Sequence, residues 1–263
     1  MSATRDAQLQ RFHRVGPWVL AGGAVAVAIV YELVKSHRVS REEIIFFAVL
    51  VPSIILHEVS HGAVANLCGD DTAKRAGRLT LNPLKHVDPI GTVLLPILLI
   101  ATTHSAFGWA KPVPVSINRL RHPRNQAVLV GLAGPAVNIV LALIGGLALH
   151  LLTHGGATLT PDLDTWPLGY EVLYVFGYAN IIIAAFNLIP IPPLDGSAVV
   201  ERLLPASALP GYYRVRSLFL ILVLFLVLAD QGLLDTLFGH VQNIFNSIAF
   251  RPCSPSIVSG ICR

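Results

Sequence analysis

Two imidazoles and a carboxylate stand together in His57-Glu58-Val59-Ser60-His61. On a helix, positions i and i+4 share a face, so both imidazoles can reach one metal ion. Glu58 would lie beside that ion as a general base. The setting sharpens the reading. Residues 44–67, IIFFAVLVPSIILHEVSHGAVANL, otherwise form an apolar run long enough to cross a bilayer. A charged side chain at mid-membrane costs about 2.5–3.5 kcal/mol on insertion scales. A packing role would be served by Leu or Ala, so the polar trio points to metal chemistry.

A catalytic zinc takes three protein ligands and keeps one open position. Asp195 is the candidate third ligand. It closes Asn187-Leu188-Ile189-Pro190-Ile191-Pro192-Pro193-Leu194-Asp195-Gly196, where the prolines end a helix and bend the chain. The competing reading is a turn residue, since Asp-Gly is common in turns. On these residues alone the two stand level. The other histidines lack ligand spacing, and His86 reads as a loop-surface residue.

The elements that must position these groups are helices in a membrane. The chain has 263 residues, 54% of them hydrophobic and 13% charged. Soluble domains carry roughly 25% charge, so this composition excludes an ordinary soluble enzyme. Mean hydropathy is +0.65. The net charge of +4 does not indicate nucleic acid. The basic residues lie in loops between apolar runs, as a positive-inside bias places them. The three cysteines, Cys68, Cys253 and Cys262, form no metal cluster and read as free thiols. The first apolar run, 17–34, is too long for a signal-peptide core and reads as a first span.

Further spans are expected at 44–67, 126–152 and 171–189, with a fifth from 217–229. Residues 233–250 suit either an interfacial helix or a sixth span, and the span is preferred. The apolar part of residues 91–115 is short and contains Pro96, and basic residues lie on both sides of it (Lys74, Arg75, Arg78 and Lys85 before; Lys111, Arg119, Arg121 and Arg124 after). Crossing the bilayer would put one cluster outside. The segment is therefore expected to enter and return beside a cavity. On this topology the second and fourth spans both end in the cytosol, which brings Asp195 near the level of His57 and His61. Lys35, Arg38 and Arg41 fit poorly, because the loop 35–43 then lies outside.

With these pieces in place the chain resembles the site-2 protease family of intramembrane zinc metalloproteases. The resemblance rests on HEVSH (57–61), Gly69-Asp70, GRLTLNPLKHVDPIG (77–91), FGWAKPVPV (107–115), Gly134-Pro135-Ala136-Val137-Asn138, and NLIPIPPLDG (187–196). It covers roughly residues 44–200. It implies that His57, His61 and Asp195 bind one zinc ion per chain, with Glu58 as catalytic acid/base. It also implies about six spans around a cytosol-proximal site. No interval is long and polar enough for the PDZ or paired regulatory modules of many members. The expectation is an all-α, multi-pass protein forming one domain over 1–263. Its core would span 44–200, with a re-entrant or β segment near 77–115 and C-terminal helices near 215–250.

The expected activity is hydrolysis of peptide bonds in or near transmembrane segments of membrane-protein substrates. The partners are those substrates and the lipid bilayer, with no nucleic acid, and a bacterial plasma membrane suits the composition and basic loops. Asn138 and Asn187 are amides in apolar spans and need partners. Asn138 is a candidate oxyanion donor or, equally, a helix–helix contact. Asn187 suits a structural or substrate-binding role. Arg78-Leu79-Thr80-Leu81 alternates like a short strand, and Trp109–Val115 reads as extended. Leu79, Leu81 and Trp109 are thus expected to clamp an unwound substrate. Two rival readings are a metal-ion transporter and a catalytically silent scaffold. The first would show repeated polar sites and inverted repeats, of which none is clear. The second is disfavoured by the intact quartet His57, Glu58, His61 and Asp195.

Overall fold

In the computed structural model, residues 41–88, 91, 110–153, 165–205, 207–214, 218 and 231–250 are described. The expected spans 17–34 and 217–229 lie outside the described residues, apart from residue 218. So do Trp109, Cys253, Cys262 and most of the expected re-entrant piece.

Three helices form the frame: α1 (Arg41–Leu67), α3 (Pro123–Leu152) and α4 (Leu168–Asn187). Within them, Ile44–Leu67, Pro123–Leu152 and Leu168–Asn187 are long and apolar enough to cross a membrane. At about 1.5 Å per residue, even the 20 residues of α4 match a hydrocarbon core of about 30 Å. These are the second, third and fourth expected spans. Each packs against the other two. α3 comes close to α4 at Gly145, where an added Cβ would sit 3.0 Å from the Gly177 backbone. Small residues at such crossings let membrane helices touch through their backbones.

α1 stops at a glycine. Gly69 has φ +110°, its N–H donates to Asn66 O at 3.2 Å, and Asp70 N–H donates to Ala65 O at 2.9 Å. This pair of bonds closes a helix end when the residue after the cap is left-handed, a conformation glycine adopts without a Cβ penalty. A four-residue turn, α2 (Thr72–Arg75), follows. α3 begins with Pro123 in its first turn, where the missing N–H costs nothing. α5 (Ser197–Leu203) returns beside the start of α3. Arg124 donates to the carbonyls of Arg202 and Leu204, at 3.1 and 2.8 Å.

α6 (Gln231–Ala249) is helical as expected for 233–250, but it is not among the three helices apolar enough to cross. It packs on α3 and α4 through Phe245 and Ala249, both fully buried. Gln242 and Asn246, which the sequence pattern puts on a polar face, both bond the Tyr174 hydroxyl at 3.1 Å.

The strand expected over Arg78–Leu81 does not form, and no strand occurs among the described residues. Side chains capture the backbone groups a neighbouring strand would need. Thr80 O accepts from His86 Nε2 at 2.8 Å. Asn82 N–H donates to Thr80 Oγ1 at 3.2 Å, and Asn82 Oδ1 accepts from Leu84 N–H at 3.0 Å. His86 is therefore buried, at 2% exposure, rather than on the loop surface.

Candidate metal centre

His57 and His61 lie one turn apart on α1 with ring centroids 4.7 Å apart. Asp195 comes from the proline-rich turn after α4. Its Oδ2 is 3.0 Å from His57 Nε2 and 3.3 Å from His61 Nε2. The potential ligand atoms of the three residues all lie within 4.8 Å of one another. Both imidazoles are buried.

The opposite ring nitrogens define what these atoms carry. His57 Nδ1 is 2.6 Å from Asn138 Oδ1. His61 Nδ1 is 2.6 Å from the carbonyl oxygen of Val130. A carbonyl oxygen only accepts, so each Nδ1 is the protonated nitrogen. In the neutral rings Nε2 then presents a lone pair. Two lone pairs and a carboxylate oxygen face one another, a set suited to holding a cation between its members. Two imidazoles and a carboxylate match the ligand chemistry of catalytic zinc.

The backbone makes room for this arrangement. A Cβ on Gly134 of α3 would fall 2.5 Å from His57 Nε2 and closer still to His61 Nε2. The Asp195 turn contains a cis Pro192–Pro193 bond. It is closed by Gly196 N–H donating to Asn187 O at 2.7 Å. Asn187 thus holds the turn through its backbone. Its side-chain Nδ2 donates back to Ile183 O at 3.0 Å, within its own helix.

Glu58 follows His57 on α1, and its charge is felt at His61. Its Oε2 accepts from the backbone N–H of Val113 at 2.8 Å. Val113 belongs to a strap, residues 110–116, that runs across the carboxylate. Arg78 Nη2 donates to the strap carbonyls of Lys111 and Pro112 at 2.7 and 3.2 Å. Lys111 N–H donates to His86 O at 2.9 Å. At the far end Ser116 N–H donates to Asp70 Oδ2 at 2.5 Å. Gly62, one turn past Glu58, leaves space for Leu79 and Val113, whose side chains would meet a Cβ there at 2.6 and 2.8 Å. Leu81 is exposed at 63%.

Asp70 is fully buried. Burial pushes its carboxyl up, but bonds from Thr72 and Ser116 and the Arg119 charge outweigh this and hold it below its ordinary value.

Asn138 is fully buried and has both amide ends engaged. Its Oδ1 meets His57 and its Nδ2 donates to Asn180 Oδ1 at 2.6 Å. Asn180 and its partner Ser53 were missed from the sequence. Both are polar residues inside apolar spans, and the rule that singled out Asn138 would have found them.

A family model described as "Peptidase family M50" matches residues 163–229, which include Asn187 and Asp195. The Bacillus subtilis protein named "Putative zinc metalloprotease YwhC" is 38% identical over 184 residues, covering 70% of this chain and 80% of that protein. The Mycolicibacterium smegmatis protein named "Putative zinc metalloprotease Rip2" is 33% identical over 69% of this chain and 65% of its own length. "Zinc metalloprotease MJ0392" of Methanocaldococcus jannaschii is 25% identical over 69% of this chain and 42% of its own length. No solved structure matches the chain. On the extent and identity of the first of these relatives, the chain belongs to peptidase family M50 and is a zinc metalloprotease of that family, carried on membrane-spanning helices.

Proposed function

We propose that the protein hydrolyses peptide bonds in or near transmembrane segments of membrane-protein substrates, at a centre where His57, His61 and Asp195 hold one zinc ion. The observation that carries this reading is the meeting of two imidazole Nε2 atoms and one carboxylate within 4.8 Å, with Glu58 next in sequence to His57. When bound, zinc supplies Lewis acidity and activates water for attack.

The chain's own groups do the rest. Glu58 takes a proton from the attacking water and returns it to the leaving amine. Val113 N–H holds the Glu58 carboxylate in place. With both amide ends of Asn138 engaged inside the bundle, its role is to orient His57 rather than to bind an oxyanion. Asn187 acts through its carbonyl, which shapes the Asp195 turn. Leu79, Leu81 and Trp109 remain the proposed contacts for an unwound substrate segment. Support for the first two is their placement in the coil beside the strap. The basic loops support a multi-pass protein of about six spans in a bacterial plasma membrane, with the centre towards the cytosol.

The test compares native membranes carrying wild type or Glu58→Gln, by mass spectrometry of transmembrane peptides. Gln keeps an oxygen for the Val113 N–H but is no base. A single-span protein should accumulate intact with the variant and be cut near its cytosolic end with wild type. An unchanged peptide pattern, with the candidate substrates shown to be expressed, would overturn the reading.

A further inference from the structure

The His57–Asn138 contact is the end of a longer chain of hydrogen bonds, and the chain has a direction. It starts on α1, where Ser53 Oγ donates its proton to Val49 O at 2.7 Å. With that proton engaged, the hydroxyl faces Asn180 as an acceptor. Asn180 Nδ2 supplies the matching donor at 2.9 Å and gives its second proton to Phe176 O at 2.8 Å. The NH2 end of Asn180 is therefore held by two acceptors, and only its Oδ1 can face Asn138. Asn138 must then turn its own NH2 toward Asn180, at 2.6 Å, and its oxygen toward His57. That oxygen requires the His57 proton on Nδ1 and leaves the Nε2 lone pair facing Asp195.

Reversing either amide would set NH2 against NH2 or oxygen against oxygen in a dry interior. Ser53, Asn138 and Asn180 are all fully buried, so each misdirected group would bear its full desolvation cost. His61 needs no such chain, since the Val130 carbonyl directs it.

We propose that Asn180 is a positioning residue for the His57 imidazole. It acts through Asn138 to fix which ring nitrogen carries the proton, with Ser53 fixing Asn180 in turn. The chain joins α1, α3 and α4, so the packing of three helices sets the donor atom that one residue offers. This inference rests on the reading of His57 as a metal ligand.

The experiment measures zinc affinity of the purified full chain by chelator competition, for wild type, Asn180→Leu, Ser53→Ala and His57→Ala. In parallel, 15N spectra of the histidine side chains in zinc-free protein report the His57 proton position. Asn180→Leu should bind zinc about 10–100-fold more weakly, the range typical of lost outer partners, and His57 should show mixed tautomers. Ser53→Ala should lose less, in the same direction, because Phe176 O still holds one Asn180 proton. Wild-type affinity and an undisturbed Nδ1 proton in Asn180→Leu would overturn the proposal. If that variant does not fold, the same pair of results in Ser53→Ala would do so. Undiminished zinc binding by His57→Ala would instead remove the ligand reading beneath it.

Discussion

Glu58 Oε2 accepts a 2.8 Å hydrogen bond from the backbone N–H of Val113, 55 positions later in the chain. The group proposed as base is thus held by main chain, and the strap that holds it is pinned by Arg78 and Asp70. Val113→Pro removes this donor and also changes the side chain packed at Gly62. Residues before proline already favour extended backbone, so a further proline suits the strap. Hydrogen bonds to charged groups contribute about 1.5–3 kcal/mol. Cleavage should fall at least about tenfold, with zinc retained. Val113→Ala, which keeps the N–H and trims the contact at Gly62, should lose less. Equal losses in reporter cleavage would show that packing, not the N–H, matters.

Gly134→Ala should empty the centre. Its Cβ would sit within 2.5 Å of both imidazoles, so helix or rings must shift. Overpacking of this kind costs about 1–3 kcal/mol, and here the moving parts are the proposed ligands. Zinc content should drop steeply, with a smaller fall in thermal stability. Full zinc content in the variant would contradict the close approach of α3 to the rings.

Asp70 links the end of α1 to the strap. Its carboxyl lies below its ordinary value of about 3.9, so its contribution to stability is complete above that value. It is lost as pH falls through the lower, folded value. The unfolding midpoint of wild type should therefore decline below about pH 4. In Asp70→Asn that part of the decline should be absent and the midpoint lower near neutrality. Parallel pH curves for the two proteins would exclude Asp70 as a contributor.

At the other end of the bundle, Arg41 Nη2 lies 2.5 Å from Glu171 Oε2, and the Glu171 side chain is fully buried. Arg41→Ala would leave that carboxylate without its charge partner, at a cost of about 3 kcal/mol. The Arg41→Ala, Glu171→Gln double variant should recover most of the loss. Thermal unfolding in detergent measures both, and a double variant no better than the single would argue against the pair.

The proposed ligands on α1 stood out because their chemistry is local, whereas Asp195 stood level with a turn residue until the family resemblance raised it. Two imidazoles at i and i+4 announce a shared face, and a carboxylate among prolines marks a bent helix end. The spans at α1, α3 and α4 were legible because apolar length is a direct readout of bilayer thickness. The Val113 contact was not, since any residue other than proline carries an N–H. The strand at 78–81 was misjudged because alternation says nothing of Asn82 and His86 taking up the neighbouring backbone. His86 looked like a surface residue for the same reason: its bonds to the Thr80 carbonyl and, through its own carbonyl, to the strap follow from the path of the coil and not from spacing.

The strap has a chemical polarity of its own. Pro112 and Pro114 have no N–H, and those of Lys111 and Val113 are already given to His86 and Glu58. Over four consecutive residues its backbone therefore has no free N–H to offer a passing chain, whereas an ordinary sheet edge alternates donors and acceptors. A substrate drawn alongside 111–114 could donate there but would find no backbone N–H for its own carbonyls. Those oxygens would stay available to other partners, and a peptide bond selected for hydrolysis must keep its carbonyl open to attack.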